Sequence, residues 1–159
     1  MDDLAKQLRE FLTHHRLVGL STASKSGVPH ASVMYYLIKQ GDPHLYFMTG
    51  EQSTKYKQIV ENPLVAFAVG QENPNMELQI QGSVTILPET EAAVIFEQLL
   101  AAVRQGPQSQ WYIPPVMQLG TEMPKILSME ITHFRFSLFT EALPKILTGE
   151  SMDWNALFA

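Results

Sequence analysis

Apolar residues recur along the chain in two periods, one typical of helices and one typical of strands. Helical spacing of apolar positions predicts helices over residues 3–15 and 89–104. A short helix is also expected over residues 53–61, stopped by Asn62-Pro63. Segments rich in β-branched and aromatic residues, bounded by turn signals, predict strands over residues 17–23, 29–39, 44–49, 64–69, 76–87 and 125–139, the last as one strand or two. Gly82 interrupts one of these strands and predicts a bend or bulge there. Residues 107–124 are predicted to form a loop, and the tail from Thr140 is not assigned.

The connections between the predicted strands are mostly of hairpin length, which favours an antiparallel sheet. We find no internal repeat, low-complexity tract or long linker, so residues 1–159 are expected to form a single domain. A small barrel is a natural way for about six strands with flanking helices to avoid open edges. We therefore predict a mainly β, six-stranded, mostly antiparallel barrel with the helix 89–104 packed outside it.

Composition limits the classes of function that are open to the chain. It is 45% apolar and 17% charged, which suits a folded core. The net charge of −5 and a longest basic cluster of only Lys55-Tyr56-Lys57 argue against binding of nucleic acid. There is no cysteine, so disulfides and thiolate metal sites are excluded, and a redox function would require a borrowed cofactor.

The expected location is cytoplasmic, with no membrane partner. The first residues are acidic and lack the apolar core of a signal peptide, and no stretch approaches the length of about 18 apolar residues that a membrane span requires. The pair His14-His15 has no carboxylate or third histidine at matching spacing, so we predict no metal site.

Three segments in the first two-thirds of the chain form a pattern of order and spacing. The first is Gly27-Val28-Pro29-His30, followed by residues 31–36; the second is residues 45–49, followed by Ser53-Thr54-Lys55 and closed by Glu61-Asn62-Pro63; the third is residues 77–81, followed by Gly82 and Val84. Together these segments resemble the FMN-binding split β-barrel family of the pyridoxamine 5'-phosphate oxidase type. The resemblance implies a split barrel that binds a flavin at the interface of a homodimer.

The resemblance also implies positions for the flavin ring. The strand residues Ser32, Val33, Met34 and Tyr35 would line the isoalloxazine, largely with main-chain groups, although strand alternation allows only half of their side chains to face a ligand. Met48 and Thr49 would lie beside the ring or the ribityl chain. Glu77 falls where the oxidase tends to have a glutamine that reaches the flavin, so it is either an acceptor for the ring N3–H or a solvent-facing edge residue.

The phosphate would be held by Ser53, Thr54 and Lys55, which begin the predicted helix 53–61. A helix N-terminus offers free N–H groups and a partial positive charge, and hydroxyls and an ammonium strengthen such a site. The alternative is an ordinary N-cap serine followed by an exposed lysine. The resemblance favours the phosphate site.

The chain departs from the oxidase in three places. The oxidase has an arginine near the position of Ser32 and another at the position of Thr54, and this chain has neither. The oxidase's C-terminal substrate motif is also not recognisable, because no arginine follows Trp154. These departures imply a divergent member of the family rather than a pyridoxamine-phosphate oxidase.

The favoured function is an FMN-dependent oxidoreductase acting on a small organic substrate, with no side chain identified as catalytic. A flavin-binding or flavin-sequestering protein without turnover is one alternative, and a deazaflavin-dependent reductase on the same fold is another. Haem occurs in distant relatives, but no histidine is placed well enough to argue for it. The loop Trp111-Tyr112-Ile113-Pro114-Pro115 is either a lid over the flavin or a cap on the barrel end.

Overall fold

A computed structural model describes residues 2–104, 123–140 and 142–158. Its helices are α1 (Asp2–His14), α2 (Thr54–Glu61), α3 (Glu89–Val103) and α4 (Ser151–Phe158). Its strands are β1 (Leu17–Ala23), β2 (Pro29–Tyr35), β3 (Leu37–Lys39), β4 (Asp42–Thr49), β5 (Leu64–Glu72), β6 (Asn75–Ile86), β7 (Lys125–Leu138) and β8 (Lys145–Glu150). None of these helices is long and apolar enough to cross a membrane.

The strands form one curled antiparallel sheet. Their order is β2-β1-β5-β6-β7-β4-β3, and β8 adds to the far end of β7. The two ends of this order, β2 and β3, are consecutive in the chain, and β2 also lies against β4 without pairing to it. The mainly β split-barrel class predicted from the sequence is confirmed.

Within the described residues the sheet has eight strands rather than the predicted six. The segment 29–39, predicted as one strand, changes its hydrogen-bonding partner at Tyr36, so its first part pairs with β1 and its last part with β4. Tyr36 is buried, and its hydroxyl donates to the carbonyl oxygen of Leu12 at 2.6 Å. Burial raises the pKa of this phenol well above its usual value. The remaining extra strand, β8, comes from the tail that the sequence left unassigned.

The interior of the barrel is apolar, and helices cover its ends. Leu8, Phe11 and Leu12 of α1 pack into this core. From α4, Trp154 is fully buried against the edge of Phe134, and its indole N–H donates to the carbonyl oxygen of Pro43 at 2.6 Å. The tail therefore closes the barrel beside the β3–β4 hairpin.

The helix α3 packs on the outer face of the barrel, as predicted. Its apolar face, which includes Ile95, Phe96 and Leu99, meets Tyr46, Met48 and Ile126. Alternate residues of β4 and β7 face the barrel core instead. The second half of β4 and the first residues of β7, which pair with it, are therefore buried on both faces.

Gly82 marks an irregularity in β6, as the sequence predicted. The pairing of β6 with β7 shifts register between Gln81 and Gly82. A Cβ atom at Gly82 would collide with the main-chain oxygen of Glu130 and lie 2.6 Å from the Cε of Met129. Only glycine permits this close approach of the two strands.

A polar network holds the β3–β4 hairpin. The carboxylate of Asp42 accepts hydrogen bonds from the Tyr46 hydroxyl at 2.7 Å and the Lys39 ammonium at 2.9 Å, and its other oxygen lies 2.8 Å from Nδ1 of His44. Partial burial alone would raise the pKa of Asp42, but these hydrogen bonds outweigh it and hold the pKa well below the usual aspartate value. Burial and the bond to Asp42 raise the pKa of Tyr46 to about 12.

The first testable consequence concerns α3. Leu99→Asp should lower the free energy of unfolding by more than about 2–5 kcal/mol, the usual loss when a buried leucine is truncated, because it also buries an unpaired carboxylate. Val94→Asp is the matched control, since Val94 is 59% exposed on the same helix. Urea unfolding measures both variants. Equal, small losses in the two would contradict the packing of α3.

The second consequence concerns acid stability. Because the folded-state pKa of Asp42 is depressed, its contribution is present above the unfolded aspartate pKa of about 3.9 and is lost as the pH falls towards the folded value. The difference in unfolding free energy between the wild type and Asp42→Asn should therefore shrink as the pH falls below about 4. Asp3→Asn, at an exposed carboxylate, should show much less of this pH dependence. A difference independent of pH would refute the network's effect.

Candidate functional site

The hydroxyls of Thr49 and Ser53 meet where β4 ends and α2 begins. Ser53 is the N-cap of α2, and its Oγ accepts from the main-chain N–H of Tyr56 at 3.2 Å. The buried Thr49 Oγ1 lies 2.9 Å from the same Ser53 Oγ. This N-terminus has no acidic side chain in its first turn, so no carboxylate of that turn offsets the positive end of the helix dipole.

Lys55 lies in the first turn of α2 and is half-buried. Burial lowers the pKa of its ammonium, because desolvation disfavours the charged form. Within residues 2–104, 123–140 and 142–158, no carboxylate forms an ion pair with it. A partly desolvated cation without a counter-charge is suited to binding an anion. Thr54, in contrast, is exposed.

Two buried polar residues fix α2 against the sheet. The Thr22 hydroxyl of β1 donates to Oε1 of Gln58 at 2.6 Å, and Nε2 of Gln58 donates to the carbonyl oxygen of Val28 at 3.1 Å. Both side chains are largely inaccessible to solvent. Neither residue was predicted from the sequence. Thr22 shares the alternation of Val18 and Leu20, and a polar residue at such an inward position is the signal that could have found it.

The hydroxyl of Ser32 is buried and has no hydrogen-bond partner among the described residues. Ser32 pairs with Leu20 of β1, and by strand alternation its side chain points to the same side as buried Met34. A buried hydroxyl left unpaired costs free energy. This orphaned donor is therefore a second feature that suits a polar ligand.

The four predicted ring residues divide between the two faces of β2. Ser32 and Met34 face the barrel, whereas Val33 is 68% exposed on the opposite face, which it shares with half-buried Tyr35. Within the described part of the chain, β2 pairs only with β1. On the edge of β2 that faces away from β1, the main-chain groups of residues 29–34 therefore have no strand partner among the described residues. A ligand that binds through main-chain groups requires such a free edge.

Met48 and Thr49 also point in opposite directions. Met48 is buried in the cluster under α3, so its side chain is committed to packing. Thr49 has the alternation of Phe47, which faces the barrel core. Of the two residues predicted beside the ring or ribityl chain, only Thr49 directs its side chain to the site at α2.

Glu77 lies at the other end of the sheet. It pairs with Ser137 near the end of β7, whereas Thr49 pairs with Lys125 at its start. About 40 Å of strand separates these positions at roughly 3.3 Å per residue. Glu77 accepts a hydrogen bond from Gln79 at 2.6 Å, and β6 is an interior strand rather than an edge. One chain therefore does not bring Glu77 together with Ser53, Thr54 and Lys55.

No group of three or more metal-ligating side chains (His, Cys, Asp or Glu) occurs in the described residues. Most of the predicted loop 107–124 lies outside those residues, and its aromatic segment 111–115 lies wholly outside them. Their roles as lid or cap stay predictions.

The amino-acid sequence matches one known family. The sequence profile of the family described as pyridoxamine 5'-phosphate oxidase matches residues 4–119. The chain belongs to this family. The profile spans α1 to α3, which includes β2, β4 and the start of α2. Every predicted site residue, from Ser32 to Glu77, therefore lies within the part of the chain that matches the family.

Solved structures share the family fold at low identity. An FMN-binding protein from Nostoc punctiforme PCC 73102, related to the oxidase, is 14% identical over 92% of this chain and 86% of its own, with a TM-score of 0.66. A haem-binding protein from Mycobacterium smegmatis is 14% identical with a TM-score of 0.71; this chain spans 60% of its length and is itself covered over 96%. An F420 reductase is 24% identical over 79% of this chain and 94% of its own, with a TM-score of 0.58. No curated protein matches the chain.

Proposed function

We propose that the protein binds FMN and acts as an FMN-dependent oxidoreductase on a small organic substrate. The observation that carries this proposal is the half-buried ammonium of Lys55, which has no carboxylate partner in the described residues and lies in the first turn of α2. Such a cation, beside a helix N-terminus and two hydroxyls, has the chemistry of a phosphate site.

The residues present fit the phosphate of FMN. The orphaned Ser32 hydroxyl can donate to it, which would remove the cost of leaving that donor unpaired. Thr49 and Ser53 already orient their hydroxyls towards one another at 2.9 Å. Gln58 and Thr22 hold α2 in place, so the site is organised before a ligand arrives.

The ring would lie along β2. The free edge of residues 29–34 offers main-chain donors and acceptors for the polar side of an isoalloxazine. Val33, exposed on the outer face of β2, supplies an apolar contact. FMN, when bound, supplies the transfer of electrons, and this chain's residues bind it, orient it and exclude water.

A homodimer is part of the proposal. A single flavin that contacts both Lys55 and Glu77 would take Glu77 from a second subunit, because one chain keeps them at opposite ends of the sheet. The outward row of Val33, Gly19 and Ala68 also presents small side chains across three neighbouring strands, a surface against which a second copy can pack closely. Two equivalent sites related by a two-fold axis would result.

A deazaflavin cofactor is the second candidate, and the fold shared with an F420 reductase favours testing it. Mass spectrometry of the ligand that co-purifies with the native protein separates FMN from a deazaflavin. Reduction of the bound flavin by a nicotinamide cofactor, followed by turnover with an acceptor, separates an enzyme from a flavin-sequestering protein.

Lys55→Ala tests the phosphate assignment. Loss of a charge-assisted contact costs about 1.5–3 kcal/mol, so FMN affinity should fall roughly ten- to a hundred-fold. Riboflavin, which lacks the phosphate, should bind almost as before. Lys57→Ala is the matched control, because Lys57 is exposed on the same helix. Isothermal titration with both ligands decides; equal losses of FMN and riboflavin affinity would show that Lys55 is not a phosphate ligand.

Light scattering tests the assembly. At micromolar concentration the flavin-loaded protein should have twice the 17.9 kDa mass of the chain. In a dimer that shares its sites, Val33→Glu on the exposed face of β2 should reduce both the mass and the flavin affinity. A monomer that binds FMN with full affinity would refute the proposal that two subunits share each site.

A further inference from the structure

Lys125 is the first residue of β7 and lies beside the candidate phosphate site. It pairs with Thr49, the last residue of β4, so their Cα atoms are about 4.5–5.5 Å apart. Lys125 shares its strand face with Leu127 and Met129, which line the barrel core, and Thr49 shares its face with Phe47. Both side chains therefore point to the side of the sheet on which the Thr49 hydroxyl meets Ser53.

The ion pair that Lys125 forms with Glu51 is weak. Its Nζ lies 4.0 Å from Oε2 of Glu51, beyond hydrogen-bonding range, and both side chains are more than one-third exposed. Exposed ion pairs of this kind contribute little to stability. Glu51 lies in the loop that leads into Ser53, so Lys125 is held loosely beside the helix N-terminus.

Lys125 also lies outside residues 4–119, the part of the chain that the family profile matches. The arginines that the oxidase resemblance places at Ser32 and Thr54 are absent. A phosphate carries more charge than the single ammonium of Lys55 offsets. The structure offers Lys125 as a second cation at the same end of the barrel.

We propose that Lys125 is a phosphate ligand of the bound flavin and that Glu51 competes with the phosphate for it. This inference rests on the proposed FMN site. The ammonium exchanges a carboxylate at 4.0 Å for the phosphate of the cofactor. Glu51 then lowers the affinity in two ways, since it holds Lys125 in the free protein and stands as a like charge near the phosphate.

Opposite changes of affinity test the proposal. Lys125→Gln should weaken FMN binding roughly three- to thirty-fold, and Glu51→Gln should strengthen it roughly two- to five-fold. Riboflavin should change less than about two-fold in both variants. Isothermal titration of the ligand-free protein measures all four affinities, and Lys57→Gln is the control for the loss of one exposed positive charge from the same region.

The double variant Lys125→Gln/Glu51→Gln separates contact from charge balance. It should bind FMN more weakly than Glu51→Gln alone if Lys125 touches the phosphate. Equal affinity of the double variant and Glu51→Gln would mean that Lys125 only neutralises Glu51, and would overturn the proposal. Thermal unfolding of each variant identifies any loss that comes from the fold.

The two hypotheses fail in different ways. A wild-type protein that binds neither FMN nor riboflavin would refute the proposed function. FMN binding that depends on Lys55 but is unchanged in Lys125→Gln and Glu51→Gln would refute the further inference and leave the proposed function intact.

Discussion

The barrel depends on one extended segment that belongs to both ends of the sheet. Residues 29–35 pair with β1 and residues 37–39 pair with β4, and Tyr36 stands between them. Tyr36 can be buried there because its hydroxyl has an acceptor in α1. This segment brings β2, which carries Ser32, against β4, which ends at Thr49.

The candidate site is poor in charge for a phosphate site, and this shapes its chemistry. An arginine would offer a planar, bidentate donor that fixes the orientation of a phosphate, whereas a lysine acts as a point charge on a flexible stem. In the proposed site, the orientation of the phosphate would therefore come from the N–H groups at the start of α2 and from the hydroxyls of Ser53, Thr49 and Ser32. The bridge from Thr22 to Gln58 matters for the same reason, since it keeps the helix N-terminus still.

Local signals in the sequence predicted much of the fold. β1 has the predicted bounds, Leu17–Ala23, because a short apolar run lies between a helix and a turn. The helix α2 was predicted to begin at Ser53, and Ser53 is its N-cap, directly before Thr54. The elements that were missed depend on distant partners. β8 exists because β7 is long enough to pair with it, and α4 has a single buried residue, Trp154, which leaves no helical period to detect.

The candidate site was predicted less completely than the fold, for a physical reason. Residues 48 and 49 look equivalent in the sequence, but the second half of β4 is buried on both faces, so its alternation does not show which side chain meets α3 and which meets α2. Glu77 was assigned to the flavin ring by family resemblance; within one chain, strand pairing places it at the opposite end of β7 from Thr49, a separation that the sequence does not reveal. Gln58 was missed because its partner Thr22 is 36 residues away.

The setting of Trp154 makes it an optical reporter of how the barrel is closed. Its indole is shielded from water by Phe134 and Phe158, and its N–H is held by the carbonyl of Pro43. An indole in such dry, aromatic surroundings emits at shorter wavelength than one in water. Because Pro43 belongs to the β3–β4 hairpin, a shift of the Trp154 emission to longer wavelength would show when α4 leaves that hairpin. No added dye is needed.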